Sequence, residues 1–167
     1  NIPISIIPIG TGNGLLKSIT YETNQEYSLK QSLTIINKNN ILNGDVIEIN
    51  KNNNKFYSLL AITWGLISDV DILTEPLRML GSLRFDLGAI WFLLRKHSYQ
   101  GKLTYIDELG ETKIIEGKFI HFWACNSSWA SENTFSSKLS KLNDGYIYIS
   151  YILEPLNRCK LLQVLLK

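Results

Sequence analysis

Three glycines at alternating positions form a candidate anion-binding turn near the start of the chain. Gly10, Gly12 and Gly14 follow an apolar run and precede a segment with helical spacing. The first backbone N–H groups of a helix have no partners within it, so a turn placed there can hold an anion such as phosphate. Thr11 can add a hydroxyl and Asn13 can hold the turn. The alternative is an ordinary tight turn, in which the glycines supply positive φ angles.

The spacing of this turn excludes two common nucleotide-binding motifs. The dinucleotide fingerprint G-x-G-x-x-G requires its third glycine where Leu15 stands. A Walker A loop requires four residues between its glycines and then Gly-Lys, whereas Lys17 follows Leu16 here. The turn therefore predicts neither a Rossmann site nor a P-loop.

Charged side chains in the middle of the chain form two further candidate sites. Asp69 and Asp71 end a long apolar run, and residues two apart on a strand project to the same side. Two carboxylates so placed repel each other, so a cationic amine or Mg²⁺ would be a suitable guest; the alternative is two solvated loop carboxylates. Arg78 and Arg84 can grip phosphate oxygens if the chain bends near Gly81, and otherwise they are solvated surface residues.

Composition limits the function classes that remain. The 167 residues are 45% hydrophobic and 19% charged, which is typical of one globular domain or part of a larger protein. A net charge of +2 does not indicate nucleic-acid binding. Metal-ligand spacing is absent among Cys125, Cys159, His97 and His121, so we predict no metal site. We predict that the two cysteines are reduced, buried thiols and that the protein is cytoplasmic. The apolar stretch Leu87–Leu94 is shorter than the roughly 20 residues of a spanning helix, and we predict that it lines a lipid pocket instead.

Apolar periodicity predicts the order of the elements. Helices are predicted at Leu15–Thr20, Ser28–Lys38, Phe85–Lys96 and Leu156–Leu166. Strands are predicted at Ile2–Ile9, Asp45–Asn50, Phe56–Val70, Lys102–Ile106, Lys113–Cys125 and Tyr146–Ile152, with asparagines supplying a hairpin turn between the second and third. Because strands dominate after residue 40, the pattern predicts an α+β protein in which a β-α piece of one domain precedes a β-rich domain.

Several stretches of the sequence resemble the sphingosine kinases, which belong to the diacylglycerol kinase-like lipid kinase superfamily. The first are PIGTGNGLLKSI and WGLISDVDILTEPLRMLGSLRFDLGAIWFLLRKHSYQGKLTYI. FIHFWACNSSWASE and LNDGYIYISYILEPLNRCKLLQVLL are also similar to that family, so the resemblance covers most of residues 3–166. It implies a diacylglycerol kinase-like fold, with the end of an α/β ATP-binding domain at residues 1–38 and an incomplete β-sandwich-rich lipid-binding domain at residues 39–167.

The resemblance also implies a reaction and the residues that serve it. The intact enzyme would use ATP and Mg²⁺ to phosphorylate the primary hydroxyl of sphingosine or a related sphingoid base, giving sphingosine 1-phosphate. Because that lipid resides in a bilayer, we expect peripheral membrane contact. The family's ATP phosphates would be held here by Gly10, Thr11, Gly12, Asn13, Arg78 and Arg84. Asp71 would engage the amine and head group of the lipid, and the other substrate-binding candidates are Ala61, Thr63 and Phe85.

The sequence departs from the family at four places. The family's GGDGT-type element, whose aspartate is regarded as the general base, is expected before residue 1, so no catalytic base is expected in this chain. A second acidic, glycine-containing element is not found, since Asp144-Gly145 comes too early. Ala61 replaces an expected serine, and Pro76 replaces a usual lysine.

Two alternatives to a sphingosine kinase remain. A ceramide or diacylglycerol kinase shares the glycine turn but accepts a lipid without a free amine. Asp71 argues against that enzyme, because a carboxylate facing a neutral amide would have no partner. The other alternative is a non-catalytic lipid-binding module.

Overall fold

The computed structural model describes residues 3–81, 83–95 and 97–165, in which helices and antiparallel strands are mixed. The helices are α1 (Gly14–Glu22), α2 (Leu29–Asn37), α3 (Leu66–Leu73), α4 (Leu83–Arg95) and α5 (Arg158–Leu165), with a short 3₁₀ helix at Glu75–Leu80. The strands are β1 (Ile47–Lys51), β2 (Asn54–Ser58), β3 (Ala61–Gly65), β4 (Tyr99–Ile106), β5 (Thr112–Cys125) and β6 (Tyr148–Leu153). This mixture confirms the α+β class.

The chain divides into two compact units. The first comprises the described residues up to Ile62 together with Ala124–Ile149, and the second comprises Thr63–Trp123 and the residues from Ser150 onward. The domain boundary between residues 38 and 39 stays a prediction.

The first unit contains α1, α2 and the β1–β2 hairpin. The hairpin is antiparallel, with Ile49 opposite Phe56. Its turn residues Asn52 and Asn53 have φ angles of 50° and 64°, a left-handed conformation that asparagine tolerates better than most residues. The predicted asparagine turn is therefore confirmed. Ser28 begins α2, because its hydroxyl accepts a hydrogen bond from the backbone N–H of Gln31 at 3.1 Å.

The second unit contains most of a four-stranded sheet in the order β3-β5-β4, with β6 also paired to β5. Strands β4 and β5 form the predicted antiparallel hairpin, in which Leu103 lies opposite Ile115. The core of this unit is an apolar cluster beside the helices, formed by Leu66, Val70, Phe92, Ile120 and Leu161. The cluster joins α3 to α4 and α5, and it fixes the helices that carry most of the charged candidate residues.

The predicted buried strand Ile2–Ile9 is wrong for the part that the structure describes. Residues 3–9 form no strand, and Ile4 and Ile9 are 68% and 86% exposed. Pro3 and Pro8 have no backbone N–H to donate to a neighbouring strand, which weakens any ladder in this segment. The N–H of Ile9 instead donates to the carbonyl oxygen of Ile7 at 3.0 Å.

The long strand predicted at Phe56–Val70 is also wrong. Strand β2 ends at Ser58, β3 follows a short turn, and α3 begins at Leu66. The hydroxyl of Ser58 donates to the carbonyl oxygen of Ala61 at 2.9 Å across that turn. Among the described residues, six strands and four helical segments follow residue 40, so helices take a larger share there than predicted. An apolar run of this length fits a strand or a buried helix equally well, because periodicity alone does not separate them.

Helix α4, with 13 residues, is the longest in the described part of the chain. Neither it nor any other helix there combines the length and the apolar composition that crossing a bilayer requires.

Candidate functional site

The glycine turn is closed by the side chain of Asn13. Its amide nitrogen Nδ2 donates to the carbonyl oxygen of Gly10 at 2.7 Å, and its Oδ1 accepts from the N–H of Gly10 at 3.0 Å. Asn13 also immediately precedes α1, with a left-handed φ of 52°. The expectation that Asn13 holds the turn is therefore confirmed.

Close packing explains the last glycine of the turn. A Cβ atom on Gly14 would lie 2.3 Å from the carbonyl oxygen of Ala130, so a side chain there would displace the backbone. The carbonyl oxygen of Gly12 accepts from the N–H of Glu132 at 2.7 Å, which ties the turn to the same loop. None of the three glycines in the turn has a positive φ. The glycines therefore do not supply the positive φ angles that the ordinary-turn alternative assumed, although that alternative stays open.

Charged groups of both signs lie around the turn and the start of α1. No acidic residue lies in the first turn of α1, and among the described residues no side chain caps its backbone N–H groups. Lys17 lies one turn along the helix, with Nζ 4.9 Å from the centre of the Trp129 ring and 5.0 Å from that of Tyr27. Partial burial raises the pKa of the Tyr27 phenol, which therefore stays neutral near pH 7. The Glu132 carboxylate, which accepts from the Tyr27 hydroxyl at 3.4 Å, is an acidic group in the same surroundings.

In the second unit, a glycine brings α4 against α3. A Cβ atom on Gly88 would lie 2.7 Å from both Cγ1 of Val70 and Cγ2 of Thr74, so the two helices approach too closely for a larger residue. Arg84 precedes Gly88 by one helical turn and therefore lies against Asp71 of α3. The helix contact thus positions a guanidinium beside a carboxylate.

Arg84 is the centre of a charged cluster. Its side chain is only 7% exposed, and its Nη2 donates to Oδ1 of Asp71 at 2.7 Å. Its Nη1 donates to Oε2 of Glu75 at 3.0 Å. Its guanidinium carbon also lies 4.3 Å from the centre of the Phe85 ring. A buried guanidinium with two ionic partners and an aromatic neighbour is held in one orientation.

The second arginine meets the first at a shared carboxylate. Gly81, with a φ of 59°, ends the 3₁₀ helix, and the chain changes direction before α4. Arg78 reaches back so that its Nη1 lies 3.0 Å from Oε1 of Glu75. Arg78 and Arg84 therefore converge on the two oxygens of Glu75, as expected if the chain bends near Gly81.

The two aspartates do not form the paired site that a strand would give. Both lie on α3, where residues two apart point about 200° from each other. Asp71 binds Arg84, whereas Oδ2 of Asp69 accepts from the hydroxyl of Tyr99 at 2.8 Å. That hydrogen bond raises the pKa of Tyr99, because losing the proton would place a phenolate beside the carboxylate. The expectation of two carboxylates on one side is therefore wrong.

The charges within this cluster balance, and one carboxylate oxygen is left available. The two carboxylates of Asp71 and Glu75 match the two guanidiniums of Arg78 and Arg84, whereas Asp69 binds Tyr99 instead. Asp71 is 59% exposed on its side chain, and within the described residues only its Oδ1 is bound by a side chain. Its Oδ2 is therefore available to a cationic guest.

The structure also weakens one argument against a neutral lipid. Because Arg84 already binds Asp71, that carboxylate would not be left without a partner beside an amide. The exclusion of a ceramide or diacylglycerol kinase on that ground is therefore wrong.

The described residues around the charged cluster do not form a separate magnesium site. In residues 3–81, 83–95 and 97–165 no three acidic, cysteine or histidine side chains are grouped as a metal site requires. Asp71 and Glu75 also each bind Arg84 through one carboxylate oxygen. These residues alone therefore do not fit a resident Mg²⁺ ion.

Three further candidate residues are divided between the two units. Ala61 is in the first unit, where its carbonyl oxygen accepts from Ser58. Thr63 is half-buried in the second unit. Phe85 is half-buried, packs on the apolar core and stacks with Arg84.

One of the two cysteines departs from the prediction of buried thiols. Burial lowers the pKa of His121 to about 4, so its ring stays neutral beside Trp123. Both cysteines are free, and burial raises the pKa of Cys125 to about 11. Cys159, however, is exposed on α5, so the prediction of two buried thiols is wrong for it.

Three participating residues were missed by the sequence analysis. Glu75 follows Asp71 by four residues and precedes Arg78 by three, a helical spacing that signals ion pairs once a helix is assumed. Lys17 lies on the helix after the glycine turn, and its position in the sequence indicates a role less clearly than the position of Glu75 does. Tyr99 follows Asp69 by 30 residues, so no local pattern could have paired them.

Comparison with known proteins identifies several that are similar to this chain. No protein-family model matches it. Sphingosine kinase 2 of Arabidopsis thaliana is 29% identical over 181 residues, which cover 87% of this chain and 38% of the plant protein. Sphingosine kinase 2 of Homo sapiens is 32% identical over 63% of this chain and 17% of its own length. Sphingosine kinase 1 of Caenorhabditis elegans is 35% identical over 62% of this chain and 24% of its own length.

These similarities confirm the resemblance to sphingosine kinases over most of the chain. The chain spans 38% of the length of the Arabidopsis protein and smaller shares of the human and nematode proteins.

Proposed function

We propose that this chain is part of a lipid kinase that transfers the γ-phosphoryl group of ATP to the primary hydroxyl of sphingosine or a related sphingoid base. The observation that carries the proposal is the Asp71–Arg84–Glu75–Arg78 cluster, in which carboxylates and guanidiniums lie within hydrogen-bond distance of one another. The names of the similar proteins support the same activity.

Each part of the cluster has a role in this proposal. The lipid ammonium binds Asp71 through the oxygen that faces away from Arg84. The donors of Arg78 and Arg84 that remain available bind phosphate oxygens and stabilise the charge that develops on them during transfer. Within the first unit, the glycine turn and the amino end of α1 offer backbone N–H groups that can hold an anion. Phe85 forms part of the wall around the lipid chain.

The reaction itself is a single phosphoryl transfer. The lipid hydroxyl oxygen forms a bond to the γ-phosphorus, the bond from that phosphorus to the bridging oxygen breaks, and ADP leaves. The hydroxyl proton passes to a base that we place outside these residues. When bound with ATP, Mg²⁺ neutralises part of the phosphate charge.

The test is transfer of labelled phosphate from ATP to sphingosine by the protein expressed from the full reading frame. We expect one phosphate on the primary hydroxyl, identified by mass spectrometry, and none when the lipid is omitted. A protein that binds sphingosine but transfers no phosphate would contradict the kinase and favour a non-catalytic lipid-binding module.

Peripheral membrane contact belongs to the same proposal. One face of α4 presents Leu83, Leu87, Ile90 and Leu94, which are between 50% and 68% exposed. These positions follow a helical spacing of three and four residues, so they lie on one side. A continuous exposed apolar face of this kind is typical of an interaction site, and a lipid surface would cover it.

Substitution on this face should weaken membrane binding. We expect Leu87→Glu with Ile90→Glu to lower the partition of the full protein onto phosphatidylcholine vesicles containing sphingosine about tenfold, because two apolar anchors are replaced by charges. Co-sedimentation measures the partition. Leu109→Glu, at another apolar residue that is 79% exposed, is the control and should change it less than twofold. No association of the unsubstituted protein with vesicles, with or without sphingosine, would contradict the proposal.

A further inference from the structure

We propose that Glu75 is a positioning residue that holds Arg78 and Arg84 ready for the phosphate groups of the nucleotide; this inference rests on the proposed function. Its carboxylate bridges the two arginines, with Oε1 3.0 Å from Nη1 of Arg78 and Oε2 3.0 Å from Nη1 of Arg84. Nothing in the sequence resemblance assigned a role to this residue.

The bridge allows two like charges to stay close together. Two guanidiniums that converge on one ligand repel each other in its absence, and a carboxylate between them offsets that repulsion. Side-chain exposure increases along the bridge, from 7% at Arg84 to 51% at Glu75 and 72% at Arg78. Glu75 therefore links a fixed, buried arginine to a solvent-exposed one.

Arg78 depends on this link more than Arg84 does. Arg84 is held by Asp71 and by the ring of Phe85 as well as by Glu75. Within the part of the chain that the structure describes, Glu75 is the one residue that makes an ion pair with Arg78. Without it, the long side chain of Arg78 would sample many rotamers, and ordering it would weaken nucleotide binding.

The bridge leaves most of the donors of Arg78 available. A guanidinium carries five N–H groups, and Glu75 engages one nitrogen of each arginine. The nitrogens of Arg78 that are not engaged can bind phosphate oxygens in pairs. Glu75 thus orients the arginines without saturating Arg78.

If Glu75 competed with the nucleotide instead of positioning the arginines, its substitution would change ATP affinity in the opposite direction. If Glu75 mainly neutralised the arginines, it would compete with phosphate, and its removal would strengthen ATP binding. The effect of a neutral substitution on ATP affinity therefore distinguishes positioning from competition.

The experiment measures ATP binding and steady-state phosphate transfer with the protein from the full reading frame. For Glu75→Gln we expect the Kd and KM for ATP to rise about tenfold, with kcat and the KM for sphingosine changed less than twofold. In an Arg78→Ala background the same substitution should raise the KM for ATP at most threefold, because the main residue that Glu75 orients is gone. Glu75→Asp, which keeps the charge but is one methylene shorter, should lie between glutamine and the unsubstituted protein. Glu108→Gln, at an exposed turn residue, is the control.

Three results would overturn the inference. The first is an ATP affinity that is unchanged or higher in Glu75→Gln. The second is an equal loss in both backgrounds together with a lower melting temperature, which would make the role merely structural. The third is an unsubstituted protein that neither binds ATP nor transfers phosphate, in which case the proposed function fails as well. If the unsubstituted protein is active and only the Glu75 effects are missing, the proposed function stands and this inference alone fails.

Discussion

Replacing Arg84 by alanine is expected to lower kcat/KM for phosphate transfer to sphingosine about a thousandfold in the protein from the full reading frame. The substitution removes a guanidinium that the proposal assigns to the phosphates. It also removes the partner that holds Oδ1 of Asp71 at 2.7 Å, so the carboxylate that receives the lipid amine loses its orientation. Both the KM for ATP and the KM for sphingosine should therefore rise.

Two further substitutions define the Arg84 effect. Arg84→Lys keeps the charge but not the planar fork, and it should restore only part of the rate. Arg95→Ala removes an exposed arginine of the same helix that contacts the ring of Trp91 at 5.7 Å, and it should leave the rate within twofold. A folded Arg84→Ala protein, verified by thermal denaturation, with kcat/KM reduced less than threefold would contradict the assignment.

Replacing Asp71 by asparagine should lower kcat/KM for sphingosine about a hundredfold while changing the KM for ATP less than twofold. Asparagine has nearly the same shape and its oxygen can still accept from Arg84, so the fold should be retained. It no longer attracts the lipid ammonium, and losing one partner of a hydrogen-bonded charge pair costs on the order of 2–5 kcal/mol. Initial rates at varied lipid and varied ATP separate the two KM values.

The control for Asp71 is another aspartate in the same unit. Asp86 on α4 is exposed, and it makes no ion pair with the residues that the structure describes, so Asp86→Asn should leave both KM values unchanged. If Asp71→Asn raised the KM for ATP as much as that for sphingosine, Asp71 would act on the cluster as a whole rather than on the lipid amine.

Local patterns predicted those parts of the fold in which residues close in sequence determine the structure. Helix α4 and the β4–β5 hairpin have strong apolar periodicity and clear turn residues, so both were predicted close to their observed bounds. The segment Ile2–Ile9 has the composition of a buried strand, but strand formation requires a neighbouring strand. No local pattern can report whether that neighbour is present.

The candidate site was predictable in its residues but not in its pairing. Asp71, Arg78 and Arg84 were identified from residue type and resemblance. That Arg84 binds Asp71 follows from the close packing of α4 on α3 at Gly88, which becomes visible only in three dimensions. The placement of Asp69 and Asp71 on one side failed because an apolar run was assigned to a strand, and the helix in its place directs the two side chains apart.

The central claim is that the exposed carboxylate of Asp71 selects a lipid that carries an amine for phosphorylation by ATP. The most direct measurement compares labelled phosphate transfer to sphingosine, ceramide and diacylglycerol, each at the same mole fraction in the same vesicles, by the protein from the full reading frame. We expect kcat/KM for sphingosine to exceed that for either neutral lipid by at least about a hundredfold, the factor that corresponds to roughly 2.7 kcal/mol. A protein that phosphorylates ceramide or diacylglycerol as well as or better than sphingosine would contradict the claim.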